Sequence, residues 1–226
     1  MTHVIKTVER PDPTLVAAFA TISPATVHEV MGRTGAMDFE IKPIFSGMRV
    51  CGPAITVQCH PGDNSMLHKA MAIASPGDVL VANMGRVDTG GWGEVTSTCA
   101  VSRGIKGLVV DGMVRDGLAI KSIGFPVFSR GLSMRGTEKG AIGFVNHPTC
   151  CGGVTVFPGD LILGDDDGVV VIPKANATED LIRRCEDRER HEQEAMEGFR
   201  AGNGRTTLDL LGLEEKLKAK GMQEEE

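Results

Sequence analysis

Gly107-Leu108-Val109-Val110-Asp111 is followed at once by Gly112-Met113-Val114-Arg115-Asp116, and the architecture reads outward from this stretch. A short apolar run closed by glycine and an acid reads as a strand buried on both faces. Asp116 to Ile123 then keeps helical spacing, and Phe125-Pro126-Val127-Phe128 reads as the next strand. Upstream the same alternation holds. Met48 to Val57 predicts a strand bent at Gly52-Pro53, and Asp63 or Asn64 caps a helix through Met66, Leu67, Ala70, Met71 and Ile73. Pro76-Gly77-Asp78 ends that helix and feeds the strand Val79 to Ala82, and Glu94 to Arg103 fits a further helix. Strand and helix alternating at this spacing define an α/β domain with parallel pairing.

Around this centre, Pro13 to Val30 reads as helix interrupted at Ser23-Pro24, with Ser23 as N-cap and Pro24 in the first turn. From Gly152 to Pro173 the pattern becomes short β runs separated by Gly and Asp, hence close-packed strands with tight turns. Asp165-Asp166-Asp167-Gly168 lacks the ligand spacing of a calcium loop and reads as a turn. Pro76-Gly77-Asp78 recurs as Pro158-Gly159-Asp160, each triplet a turn entering a strand. Thr178 caps a helix running to about Phe199, whose middle, Glu186 to Glu194, carries no large apolar residue. Gly202-Asn203-Gly204 breaks it, and Leu208 to Lys220 predicts one last amphipathic helix.

The chain has 226 residues, 24 basic and 30 acidic side chains, and a net charge of −6. Aromatics make up 4% and Tyr is absent, which argues against a stacking platform for nucleic acid. The first residues have no apolar core, and no later run approaches the roughly 20 residues needed to span a bilayer. Six cysteines without a C-x-x-C pair fit reduced thiols in a cytoplasmic protein.

Chemistry concentrates in two segments. Gly90-Gly91-Trp92-Gly93-Glu94-Val95-Thr96 enters a helix and leaves the Val95 and Thr96 amides open to a carboxylate or phosphate. Arg115-Asp116 follows the carboxyl end of a buried strand, where open α/β sheets gather ligands. Its arginine suits an anionic oxygen. Its acid suits a hard cation that keeps several waters, such as Mg²⁺ or Mn²⁺.

Taken in order, GGWGE (90–94), GLVVDGMVRD (107–116), GFPVFSRG (124–131) and VFPGDLILGDDDGVVVIP (156–173) resemble the 4-hydroxy-4-methyl-2-oxoglutarate / 4-carboxy-4-hydroxy-2-oxoadipate aldolases. These are divalent-metal pyruvate aldolases related to the regulators of ribonuclease E activity. ATVHEVMGRTGAM (25–37) and MRVCGPAITVQCHPGDNSMLHKA (48–70) extend the resemblance over about residues 20 to 200.

The resemblance implies a layered α-β-β-α sandwich of the swivelling β/β/α type, with residues 1–175 catalytic. Residues 176–226 would be a helical extension packing on a neighbouring subunit of a trimer or hexamer. Asp116 is implied as the metal ligand, Arg115 as the contact to the C2 oxygen of pyruvate, and Glu94 as the acid that holds metal-bound waters. The Gly93-Val95-Thr96 backbone is implied to take the pyruvate carboxylate. An acid from the neighbour's last long helix is implied too, with Glu192 chosen among Glu189, Glu192 and Glu194. Asn83-Met84-Gly85-Arg86 departs from the more acidic run expected there, which bears on the distal pocket wall.

The expected reaction is retro-aldol cleavage of a 4-hydroxy-2-oxo acid in aromatic catabolism, with oxaloacetate decarboxylation as a side activity through the same enolate. The rival is a non-catalytic regulator of ribonuclease that acts by protein binding. Two other chemistries fit the residues less well. Lys69, Lys106, Lys121, Lys139 and Lys174 are Schiff-base candidates without an evident apolar pocket. His60 and His68 read as structural or distal-substrate histidines rather than zinc ligands.

Overall fold

A computed structural model describes residues 2–224. The chain divides into two compact units, residues 1–182 and 183–226. In order, the first unit holds α1 (Pro13–Phe19), α2 (Pro24–Val30), β1 (Lys42–Pro43), β2 (Val50–Gln58), α3 (Ser65–Ile73), β3 (Val79–Asn83) and α4 (Glu94–Ser102). It continues with β4 (Gly107–Asp111), α5 (Gly117–Ile123), β5 (Val127–Ser129), β6 (Phe144–Val145), β7 (Thr149–Cys151), β8 (Val154–Val156), β9 (Leu161–Asp165) and β10 (Gly168–Ile172). Three helices complete the chain: α6 (Glu179–Arg200), α7 (Thr207–Leu211) and α8 (Leu213–Ala219).

β2, β3, β4 and β5 pair in parallel, in sequence order. Three successive crossovers in one direction put α3, α4 and α5 on one face, as right-handed β-α-β connections require. Alternate strand residues divide accordingly. Leu80, Ala82, Leu108 and Val110 pack with the helical Leu67, Ala70 and Ala100. Val79, Val81, Val109 and Phe128 pack on the other face with Val156, Ile162, Val169 and Val171 of the later strands. With α2 lying on β9 and β10, the layers run α-β-β-α.

The bend expected at Gly52-Pro53 is where β2 changes partners. Val50 to Pro53 pair antiparallel with β9, whereas Ala54 to Gln58 pair in parallel with β3. A Cβ on Gly52 would stand 2.3 Å from the Gly77 carbonyl oxygen, so only glycine lets β2 run this close to the turn that enters β3. At the far edges the sheet curls toward closure: Lys42 of β1 donates to the Asp167 carbonyl in the β9–β10 turn.

Both Pro-Gly-Asp triplets are turns closed by the same device. The Asp78 carboxylate accepts from the Ser75 amide at 2.7 Å, and Asp160 accepts from the Phe157 amide at 2.8 Å. Asp165 to Gly168 is the β9–β10 turn.

In the second unit the residues after Gly202 differ from the single helix expected. Gly212, at φ 56°, splits that stretch into α7 and α8. Arg190 of α6 pairs with Asp187, one turn earlier, at 2.6 Å. Among the described residues, no helix is long and apolar enough to cross a membrane.

Candidate active site

The carboxyl ends of the parallel strands release the two segments singled out above. The loop after β3 runs through Gly90 to Gly93 into α4, and the loop after β4 carries Arg115 and Asp116 into α5. Backbone bonds tie these loops together: the Gly91 amide donates to Met113 O at 2.9 Å, and the Arg115 amide to Trp92 O at 2.8 Å. Trp92 is buried, donates through Nε1 to Ser97 Oγ at 2.7 Å and stacks on Phe125. This anchored pair of loops holds the exposed side chains at fixed positions.

Asp116 occupies the N-cap position of α5 but does not cap it with its side chain. Its backbone is left-handed, φ 59° and ψ 37°, a conformation costing a non-glycine residue roughly 1–2 kcal/mol. That turn swings the carboxylate away from its own helix toward α4, where Oδ2 accepts from the Glu94 amide at 3.1 Å. Arg115 lies alongside, Nε 3.7 Å from the same oxygen, and both side chains remain nearly half exposed. Gly93 makes room: a Cβ there would stand 2.3 Å from Asp116 Oδ2.

At the start of α4 the Gly93 amide donates to Thr96 Oγ1 at 2.9 Å, and the Glu94 amide is taken by Asp116. The amides of Val95 and Thr96 meet no acceptor among the described residues. They are the pair expected to hold a carboxylate.

All six candidates from this part of the sequence, Gly93, Glu94, Val95, Thr96, Arg115 and Asp116, line one cleft of about 190 Å³. Glu192 lies elsewhere in the chain, on α6 in the second unit, paired with Arg188 at 2.9 Å. Asn83 to Arg86 do not line the cleft. Arg86 instead faces Asp111 at 3.3 Å, and Arg130 bonds Asp111 at 2.5 Å, Asp38 at 2.9 Å and Glu40. Burial pushes the Asp111 carboxyl up, but Arg130, the Gly152 amide and Arg86 outweigh it and hold it below the usual carboxylate range.

The structure adds a wall of which the sequence offered only His68, as a structural or distal-substrate histidine. Asn64, His68, Thr137 and Lys139 line the same cleft. Asp63 staples the loop carrying Lys139 to the start of α3, accepting from the Ser65 amide at 2.7 Å and the Ala141 amide at 3.0 Å. Lys139 Nζ then donates to Asn64 Oδ1 at 2.6 Å and Thr137 Oγ1 at 2.8 Å, and Asn64 Nδ2 donates to Gly91 O at 2.7 Å. One of the five lysines expected to lack a pocket therefore faces the cleft. His68 is pushed below the ordinary imidazole pKa by burial and by the charge of Lys139.

No group of three or more His, Cys, Asp or Glu able to cage a metal occurs among the described residues. The donor set instead fits an ion that asks for one protein carboxylate, Asp116, and takes its other oxygens from water and substrate, which is the habit of Mg²⁺.

The fold thus gathers an open helix start, an Arg-Asp pair and, opposite them, a lysine in one cleft at the carboxyl ends of the strands of an α/β protein. Residues 19–171 match the model of the RraA-like family, described as Aldolase/RraA, and the chain belongs to that family. It is 39% identical over 175 residues to a protein of Halalkalibacterium halodurans named "Putative 4-hydroxy-4-methyl-2-oxoglutarate aldolase", covering 77% of this chain and 83% of the relative. Among solved structures it resembles RraAS2 of Streptomyces coelicolor, titled an unusual member of the RNase ES inhibitor RraA protein family. The TM-score is 0.75 at 30% identity, over 84% of this chain and 99% of the other. An uncharacterised protein of Pseudomonas syringae pv. tomato matches with TM-score 0.77 and 28% identity, over 87% and 92% of the two chains.

Proposed function

We propose that the protein is a divalent-metal-dependent pyruvate aldolase. In this reading it cleaves 4-carboxy-4-hydroxy-2-oxoadipate to pyruvate and oxaloacetate, or 4-hydroxy-4-methyl-2-oxoglutarate to two pyruvates. The observation that carries the reading is the convergence of the open α4 amides, Arg115, Asp116 and Glu94 in one cleft. The named relative in Halalkalibacterium halodurans supports it.

Asp116 would hold Mg²⁺ or Mn²⁺. When bound, the ion supplies a Lewis acid beside the oxygen on which enolate charge develops. The chain's own groups do the rest. The Val95 and Thr96 amides bind the C1 carboxylate, and the Arg115 guanidinium faces the C2 oxygen, putting positive charge where it forms. Glu94 receives the C4 hydroxyl proton at its carboxylate as the C3–C4 bond breaks. The bonding electrons pass into the C2–C3 enolate, the C4 fragment leaves as an oxo acid, and a proton returned to C3 completes pyruvate. Lys139, across the cleft, offers a cation to the distal carboxylate. Oxaloacetate losing CO₂ would pass through the same enolate.

Residues 1–175 carry catalysis in this reading. The extension from 176 packs on a neighbouring subunit of a trimer or hexamer, to whose site Glu192 contributes. The test is pyruvate release from both substrates, with and without chelator. Activity abolished by chelator and restored by Mg²⁺ or Mn²⁺ is the expected result. Full activity in chelator, with borohydride trapping pyruvate on Lys139, would give the reaction to a Schiff base.

The second reading, a non-catalytic ribonuclease regulator, draws on the likeness to RraAS2. It predicts no metal-dependent pyruvate release, and binding to a ribonuclease or its partner helicase.

A further inference from the structure

A second cavity, of about 570 Å³, opens at the opposite end of the parallel strands. It lies at the amino ends of β2, β4 and β5, where Val50, Lys106 and Pro126 stand at or just before the strand starts. Its size is within the usual range for small-molecule pockets. Val101, Ile105, Phe125 and Pro126 give it apolar walls, and no carboxylate lines it.

Two cations do line it, Arg49 and Lys106. Arg49 spends only Nη2 on the protein, donating to the Ala20 and Ile22 carbonyls at 3.4 and 3.2 Å. Among the described residues, neither Arg49 nor Lys106 has an acid within 4.0 Å, although the chain carries an excess of acids, net −6. The Cys51 thiol, also in the lining, is pushed up to about 12 by burial and stays neutral. Apolar walls with two unpaired cations complement an anion that carries its charge at one end.

We propose that this cavity is a second binding site, taking a small molecule with one carboxylate head on an apolar body. The assignment is independent of the aldolase reading. Occupancy is legible at a distance, because Phe125 of the cavity wall stacks on Trp92, ring centroids 5.9 Å apart and 18° between planes. Trp92 is the single tryptophan of the chain. Its carbonyl holds the Arg115 amide, so the same contact joins the cavity to the cleft.

The experiment titrates full-length protein with octanoate, followed by calorimetry and by Trp92 emission. Octanamide, which has the body without the charge, and acetate, which has the charge without the body, are the controls. Octanoate should saturate one site per chain, at least about tenfold more tightly than either control, with the emission change tracking the heat. Arg49→Gln with Lys106→Gln should weaken it by a further factor of about ten or more, with melting lowered by no more than about 4 °C for the Arg49 bonds given up. Asp116→Asn should leave it as in the parent, which separates this site from the α4 amides. Absence of saturable octanoate binding, equal binding of octanamide, or parent affinity in the double glutamine variant would each overturn the proposal. So would dissociation of a native assembly in that variant, since the cavity would then be a contact between copies.

Discussion

Replacing Gly93 by alanine probes the cradle of Asp116 most sharply. The backbone at residue 93 is extended, φ −159°, and accepts alanine without strain. The problem is space. The new Cβ would stand 2.3 Å from Asp116 Oδ2 and 3.2 Å from both Asp116 Cγ and Arg115 Cγ. A carbon and an oxygen settle no closer than about 3.3 Å, so the carboxylate must retreat by about 1 Å. It would then lose its bond to the Glu94 amide, now 3.1 Å long. A misplacement of that size costs about 10²-fold in turnover. The fold has little at stake, because Asp116 and Arg115 are nearly half exposed, and melting should shift by no more than about 4 °C. Pyruvate release read through a coupled dehydrogenase, over a range of Mg²⁺ concentrations, checks this. The expected result is turnover lowered about 10²-fold and a higher Mg²⁺ requirement. Parent turnover with the parent Mg²⁺ dependence would refute the claim that Gly93 makes room for a working carboxylate.

Three further outcomes follow from named contacts. Lys139→Met should raise KM for the dicarboxylic or tricarboxylic substrate roughly 10-fold or more, by removing a charged partner, while leaving pyruvate methyl exchange unchanged; an effect on both would move Lys139 to the pyruvate end. Asp111→Asn breaks a buried ion pair and should cost about 3 kcal/mol, or roughly 6–12 °C of melting temperature, near neutral pH. Because the folded carboxyl is held below its unfolded value, its contribution is present above the unfolded pKa and is lost as pH falls through the folded one. The gap between parent and variant should therefore close under acid, and a gap constant down to the lowest folded pH would contradict the assignment. Glu192→Gln and Arg115→Lys, each strongly impaired alone, should regain activity when their subunits are mixed and reassembled; no recovery in verified mixed assemblies would remove Glu192 from a neighbour's site.

Much of the architecture is legible in the sequence because it depends on local patterns. The alternation of Val79 to Asn83 and Gly107 to Asp111 with apolar-striped helices gives the parallel sheet, and Gly52-Pro53 marks the strand that joins two layers. The two-residue strands β1 and β6 carry no such pattern, since only their partners make them strands. Gly212 was visible between Leu211 and Leu213, but a helical stripe on both sides hid the break it makes.

The site divides in the same way. Gly93, Glu94, Arg115 and Asp116 stand in two contiguous motifs, each at the end of a strand, so topology brings them together. Lys139 reaches the cleft through Asp63, 76 residues earlier, in a loop with no periodicity. The left-handed turn that aims Asp116 at α4 rather than α5 depends on the neighbouring loop. The Arg130–Asp111 pair links residues 19 apart in sequence through the sheet, which spacing alone does not indicate.

In the proposed reaction Arg115 stabilises a pyruvate enolate formed beside a divalent ion. Exchange of the methyl protons of pyruvate with D₂O, followed by proton NMR, passes through that enolate and needs no aldol substrate. The parent protein with Mg²⁺ or Mn²⁺ should catalyse the exchange, and chelator should stop it. Arg115→Lys keeps the charge but loses the planar fork, and should slow exchange by about 10²–10³. Aldol cleavage impaired in Arg115→Lys with methyl exchange at the parent rate would contradict the claim, and would assign Arg115 to the distal half of the substrate.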